Sequence, residues 1–541
     1  MTRRRFVNAD VFTADRDLTW ASAIGVDAGR VVAVGTVEQV RDLTPGADEI
    51  DLHGCTVLPG LIDAHNHFLA TGESLASVDA RSLGATSKAA FLASIAAAAA
   101  DTEVGGQVTA YGFDPSKYPG GAPDRQDLDA VAPHHRVLAY HVSGHGALVN
   151  SLVLAAAGVG DETPDPEGGE FVRDATGRLT GLCFDTALQR LVPVSVDIGS
   201  HGPNFHTRAT PGELRAAVLR AQAAFHAAGL TTVCDAQVTS REMTAYQSVH
   251  DDAELTIRTV AMPLSHQLDD FLATGLVTGF GDAQLHLGPM KFYADGTLLG
   301  GTALLSDPYG CDGAHHGHLF RPMAQIHADL VRAAAAGWRV GVHVQGDAAI
   351  EQLLAGLEAA SAADPHGDLR PRLEHAGLPT VEQLRRLAAV GAIAVTQPSY
   401  LYEMGEQFLV DLGERAHRLQ PLRDELLAGV RVCLSSDSDV ASYRPLDSVA
   451  AAMARRTPNG TVLGADQRLT LEESLFAHTA QAAVAIGREH DLGRLAVGMR
   501  ADVTVVAARL RGLTPEEIRE QRMWATMVDG NWVHGPVDDR T

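Results

Sequence analysis

The chain has 541 residues, 45% hydrophobic and 20% charged, with a formal net charge of −24. That is a large globular composition with ample core, and its acidity disfavours nucleic acid and anionic membrane as partners. No run of eighteen apolar residues offers a transmembrane helix, and the basic start "MTRRRFVNADVFTADRD" lacks the apolar stretch of a signal peptide. Five cysteines, Cys55, Cys183, Cys234, Cys311 and Cys433, form no CxxC pair. A disulfide framework or cysteine-built zinc site is therefore not expected, and a reducing cytoplasm fits.

Short strand patterns open the chain: "RFVNADVFTAD", "ASAIGVDAGRVVAVG" and "CTVLPG". Similar ones close it, "GMRADVTVVA" and "WATMVDGNWVHG", where Asp529-Gly530 signals a type I′ hairpin. Neither set makes a stable sheet alone. Residues 1–56 and 488–541 are therefore expected to pair into one small β-sandwich domain.

Next comes "CTVLPGLIDAHNH", an apolar strand, followed by roughly 160 residues before the next strand, too many for a loop. Within them "HRVLAYHVSGHGALVN" and the hairpin-like "GEFVRDATGRLTGLCFD" predict an inserted subdomain at about 70–209, over the mouth of the main fold. From residue 210 a unit recurs: helix, glycine, apolar strand, polar residue. It runs through "TPGELRAAVLRAQAAFHAAGLTTVCDAQ", "ADLVRAAAAGWRVGVHVQGD", "TVEQLRRLAAVGAIAVTQPS" and "DELLAGVRVCLSSDSD". Thr210 with Glu213, and Thr380 with Gln383, form capping boxes; Gly229, Gly337, Gly391 and Gly429 sit where helices end. Adding "LTIRTVAMP", "LHLGPMKFYADG" and "PRLEHAG" gives eight strands. Alternating strands and helices imply α/β architecture with a parallel sheet. The expected fold is a (β/α)8 TIM-type barrel over 57–487, with chemistry at the C-terminal strand ends. A doubly wound open sheet is the alternative, weakened by the lack of GxGxxG after the first strand.

"GLIDAHNHF" ends a strand with His65 and His67, which alternation places on one face. Two imidazoles so placed suit chelation of one metal ion; two solvated histidines at a strand end are the plain alternative. Lys291, His343, His375 and Asp437 also fall at predicted strand ends. Lys291 is the odd member, because lysine is rarely buried unpaired. Four imidazoles and a carboxylate converging on one mouth suit zinc or a similar divalent ion.

"PGLIDAHNH", "MKFYADGTLLGGTALL", "VHVQGDAAI", "RLEHAG", "SSDSDV" and "GRLAVGMRADVTVV" together resemble the amidohydrolase superfamily, more narrowly its YtcJ-like branch, which includes N-substituted formamide deformylases. The likeness spans nearly the whole chain. It implies a metal-bearing barrel with a β-sandwich from both termini. It implies that His65 and His67 bind the more buried metal, that a carboxylated Lys291 bridges two ions, and that His343 and His375 hold the second. Asp437 would ligate metal and move protons as the catalytic residue. The chain departs from the family pattern at Ser435-Ser436-Asp437, where Gly-Ser-Asp is common, and at Ser438-Asp439, where a bulky residue and proline are common.

The expected activity is hydrolysis of a C–N amide-type bond, of the N-substituted amide or formamide class, by metal-activated hydroxide, with one or two ions and zinc the first choice. Deamination or other hydrolysis of a cyclic substrate is the alternative, and a non-catalytic scaffold a third reading. His145, Asp235 and Gln397 are the substrate-pocket candidates. His315, His316 and His318 lie in a Gly-rich loop, read either as a lid or as solvated; His134, His135, His201 and His206 read as surface. The expected partner is a small-molecule substrate, with a homodimer or larger assembly and no nucleic acid or membrane.

Overall fold

The computed structural model describes residues 3–81, 87–118, 120–144, 146–166, 169–310 and 315–535. The chain divides into two compact units. One runs to Phe68 and resumes at Val218; the other is Leu69–Ala217.

In the first unit the two chain ends meet in sheets. Arg4–Val7, Ala23–Asp27, Arg30–Gly35 and Asp48–Asp51 form a four-stranded sheet. A six-stranded sheet mixes Asp10–Phe12, Trp20–Ala21 and Thr56–Pro59 with Val503–Val506, Met523–Val528 and Asn531–His534. Its joint is the antiparallel pairing of Thr56–Pro59 with Val503–Val506, so neither terminus completes it alone. Phe6, Ile24 and Val31 of one sheet share a buried core with Val57, Val505 and Met527 of the other. The Asp529-Gly530 turn has φ of 47° and 76°, the doubly positive signature of a type I′ hairpin.

The parallel strands are apolar because both faces are covered. Every residue of Arg258–Pro263, Met290–Tyr293, Val340–Val344 and Ile393–Thr396 is buried. Helices including Ser240–Asp251, Met323–Ala335, Asp347–Ala363 and Val381–Ala389 alternate with them. The Thr380–Gln383 capping box is formed reciprocally, and Gly429 ends its helix in the left-handed conformation that glycine adopts without penalty.

The strands fall into two parallel ladders rather than one closed sheet. The first holds Leu61–Asn66, Leu230–Val238, Arg258–Pro263 and Leu285–Leu287. The second holds Met290–Tyr293, Val340–Val344, Arg372–His375, Ile393–Thr396 and Arg431–Leu434. The expected single strand "LHLGPMKFYADG" is thus two segments. The break lies at Gly288-Pro289, where proline has no N–H for a ladder. At one junction Leu264 and Lys291 form a parallel bridge. At the other, the Asp437 N–H donates to His65 O at 2.8 Å and the His67 N–H to Ser438 O at 2.6 Å.

The Leu69–Ala217 unit is built on a six-stranded mixed sheet with its own cores, one around Phe91, Phe113 and Leu128. The sequence-predicted hairpin pairs Gly169–Arg173 with Leu179–Asp185. No helix among the described residues is long and apolar enough to cross a membrane.

Candidate metal centre

His65 and His67 come from the end of the Leu61–Asn66 strand, and the two backbone bonds at that junction bring Asp437 against them. Asp437 Oδ1 lies 3.3 Å from His65 Nε2 and 3.1 Å from His67 Nε2. One ligand atom from each of the three residues lies within 4.8 Å of the others, and all three are buried.

A buried frame fixes this trio. His65 donates its Nδ1–H to Glu374 Oε2 at 2.5 Å, which turns its Nε2 toward Asp437. Glu374 receives Arg372 Nε at 2.7 Å and Nη2 at 2.9 Å. Asp63 accepts the Ser436 N–H at 3.0 Å and its hydroxyl at 2.5 Å, tying the Asp437 turn to the first strand. Burial pushes the Asp63 carboxyl up to about 6.

Two backbone positions are unusual. His375 has φ +76° and Asp437 φ +53°. In a regular strand Glu374 and His375 would face opposite ways. The left-handed turn at His375, of the order of 1–3 kcal/mol of strain, accompanies a geometry in which both reach the centre. The His375 ring centroid lies 4.9 Å from that of His65 and 4.5 Å from that of His343. His375 donates Nδ1–H to Gln397 Oε1 at 2.8 Å, and Gln397 Nε2 donates to Ser435 Oγ at 2.9 Å. His343 donates Nε2–H to the Gly296 carbonyl at 3.0 Å.

Lys291 is fully buried, and its Nζ has no hydrogen-bond partner. It sits 4.7 Å over the Tyr293 ring. Burial lowers its pKa to about 8, opposed by the charges of Glu374 and Asp437. Burial alone would raise the Asp437 carboxyl, but contacts from His65 and His67 hold it well below the usual carboxylate range. The Tyr400 hydroxyl donates to its other oxygen, Oδ2. Burial would lower His67, but Asp437, with the charges of Asp235 and Asp439, more than offsets it, so its pKa is raised. His375 is driven down to about 3 by burial.

Of the residues named from sequence, His65, His67 and Asp437 form the tight trio. His343, His375 and Lys291 border it but lie outside that group. Gln397 sits behind His375, its amide engaged with His375 and Ser435. Asp235 is buried and accepts the Tyr246 hydroxyl and the Gln237 N–H, and burial raises its pKa. His145 lies outside the described residues. His315 and His316 bond the carbonyls of Gly301 and Leu305, at 2.5 and 3.0 Å. His135 and His206, expected at the surface, are buried; His135 is anchored by Thr102 O at 3.2 Å. Glu374, Arg372 and Tyr400 were not anticipated. Glu374 and Arg372 carried the same signal as Lys291, charge within an apolar strand.

The donor set fits a divalent cation. Two imidazole nitrogens and a carboxylate oxygen converge, and beside them a buried ammonium has no acceptor of its own.

This fold and centre define a class. The Amidohydrolase family profile matches residues 48–534, and the chain belongs to that family. It is similar to the N-substituted formamide deformylase of Arthrobacter pascens, 31% identical over 98% of each chain. It is also similar to the putative amidohydrolase YtcJ of Bacillus subtilis (strain 168), 26% identical over 95% of this chain and 96% of that one. The fold is similar to the crystal structure of an uncharacterized metal-dependent hydrolase from Pyrococcus horikoshii OT3. There the TM-score is 0.77 at 23% identity, covering 95% of this chain and 99% of that one.

Proposed function

We propose that this enzyme hydrolyses a C–N amide-type bond of a small N-substituted amide or formamide. The observation that carries the reading is the convergence of His65, His67 and Asp437 beside the orphaned Lys291 ammonium. The full-length likeness to a formamide deformylase supports the substrate class.

His65, His67 and Asp437 would hold one divalent ion, with zinc the first choice for nitrogen and oxygen donors. His343 and His375 would serve a second, and Lys291, carboxylated, would lie between. Carboxylation turns a buried cation into an anion with two acceptor oxygens, and so removes an uncompensated buried charge. When bound, such an ion supplies Lewis-acid polarisation of the carbonyl and lowers the pKa of water.

The protein's own part is positioning and proton transfer. Glu374 and Gln397 fix the tautomers of His65 and His375 through their Nδ1 atoms. Asp437 is ionised and is the candidate general base. It would accept the attacking water's proton and return it to the leaving amine nitrogen. The ladders and their two junctions support a closed (β/α)8 barrel over 57–487, and the shared terminal core supports a β-sandwich of 1–56 with 488–541. The terminal domain and the Leu69–Ala217 unit add surface suited to a dimer; light scattering that gives a monomer across micromolar concentrations would reject this. A screen of N-formyl and N-acyl amines with zinc- and manganese-loaded protein tests the activity. Lack of amine release from every member, with metal bound, would overturn it.

A further inference from the structure

A cavity of about 590 Å³ lies at the opposite ends of the parallel strands from the metal centre. Arg339 lines it and immediately precedes Val340–Val344, whereas His343 lies four residues on, roughly 13 Å along an extended strand. The volume is in the range of small-molecule sites.

Its carboxylates are committed elsewhere. Asp282 accepts the backbone N–H groups of Gln284 and Leu285, at 2.7 and 2.9 Å, and His250 at 2.8 Å. Asp364 caps the N–H groups of His366 and Asp368. Asp491 is clamped by Arg488 at 2.6 and 3.0 Å and by Arg500 at 2.9 Å. Asp368 pairs chiefly with Arg370, at 2.8 Å, and only at 3.3 Å with Arg339.

The donors are not. The Arg339 guanidinium makes one long contact, Nη2 to Asp368 Oδ2 at 3.3 Å. Arg370 lies close enough to oppose its charge, adding to the effect of burial. Gly487 leaves room for this group, since a Cβ there would come within 2.5 Å of Arg339 Nη1. His286 is only 6% exposed, and neither ring nitrogen has a hydrogen-bond partner. Trp338 Nε1 is also buried without one, its ring packed edge-on against Phe271 at 5.2 Å. The wall thus offers a part-exposed guanidinium fork with spare N–H groups, backed by the buried side chains of His286, Trp338, Leu287 and Ile486.

We propose that this cavity binds a small organic monocarboxylate, its carboxylate on the Arg339 fork. A single fork matches a planar carboxylate bidentately. The four committed aspartates disfavour a dianion such as phosphate.

Calorimetric titration of the intact, metal-loaded protein with benzoate tests this. A saturable site is expected, with benzamide, uncharged and of the same shape, at least about tenfold weaker. Arg339→Gln should weaken benzoate roughly 10–100-fold, and Arg339→Lys, which keeps the charge but loses the fork, should fall between. His67→Ala should leave benzoate binding unchanged, which separates this cavity from the metal centre. Absence of saturation, equal affinity for benzamide, or inorganic phosphate binding as tightly as benzoate would overturn the proposal. So would full affinity in Arg339→Gln, or, should that variant not fold, in Arg339→Lys.

Discussion

His65 and Glu374 share a 2.5 Å hydrogen bond, and Glu374 in turn holds both Nε and Nη2 of Arg372. All three are buried. The bond fixes the His65 proton on Nδ1 and directs Nε2 toward Asp437, the arrangement that outer carboxylates impose on metal-binding histidines.

Glu374→Gln keeps an acceptor for His65 but removes the charge that balances Arg372. Metal affinity is expected to fall roughly 10–100-fold, and stability by roughly 3–5 kcal/mol through the unpaired buried guanidinium. Metal titration and urea unfolding of the purified variant check the two effects separately. Unchanged metal affinity would show that Glu374 does not orient His65.

How much of this was legible beforehand varies with the physics. His65 and His67 were readable because strand alternation is local, and Lys291 because a charge in an apolar strand is anomalous without any partner in view. The terminal hairpin at Asp529-Gly530 was readable for the same local reason. Tyr400 was not, because its value lies in reaching Asp437 across the fold. The division of "LHLGPMKFYADG" into two ladders departs from the single strand that its apolar run suggests, because Pro289 has no N–H for a ladder. Gln397 read as a pocket residue, yet it stands behind His375, a distinction set by rotamer and depth rather than by sequence position. Ser435, a departure from the family pattern, has a visible role: its hydroxyl accepts the Gln397 amide that steadies His375.

Lys291→Met keeps an unbranched side chain one atom shorter and removes the ammonium. A merely structural lysine would make this change neutral or stabilising, since its Nζ has no hydrogen-bond partner. The expected outcome is loss of metal and of turnover together. Parent protein reconstituted with metal in carbon dioxide-depleted buffer should recover less activity than in bicarbonate. Equal recovery in both buffers would exclude carboxylation.

Glu425 gives a pH test remote from chemistry. It is fully buried with neither carboxylate oxygen bonded, and Arg455 beside it spends its N–H groups on the carbonyls of Leu463, Gln420 and Leu419. Burial raises the Glu425 carboxyl from 4.5 to about 8, against the pull of Arg455. A raised folded pKa means that the native state holds the proton more tightly than the unfolded chain. The stability this contributes is full below about pH 4.5 and is lost as pH rises through about 8. Glu425→Gln, neutral at every pH, should match the parent near pH 5 and melt several degrees higher near pH 9. Thermal melts across that range check it; parallel curves for the two proteins would refute the assignment.

Asp437 has one oxygen facing His65 and His67 and the other bonded by Tyr400. On the proposed reading the imidazoles would hold a metal and could not also shuttle protons, so proton transfer would fall to this carboxylate. Asp437→Asn should keep much of the metal while turnover drops by roughly 10²–10⁴-fold. His67→Ala should lose metal and activity together. Tyr400→Phe leaves the carboxylate in place but removes its hydroxyl partner, so metal content should be unchanged and turnover reduced less than in Asp437→Asn. Metal content by elemental analysis, set beside kcat for the three variants, separates ligation from proton transfer. Near-parent turnover in metal-loaded Asp437→Asn would assign the proton to another group.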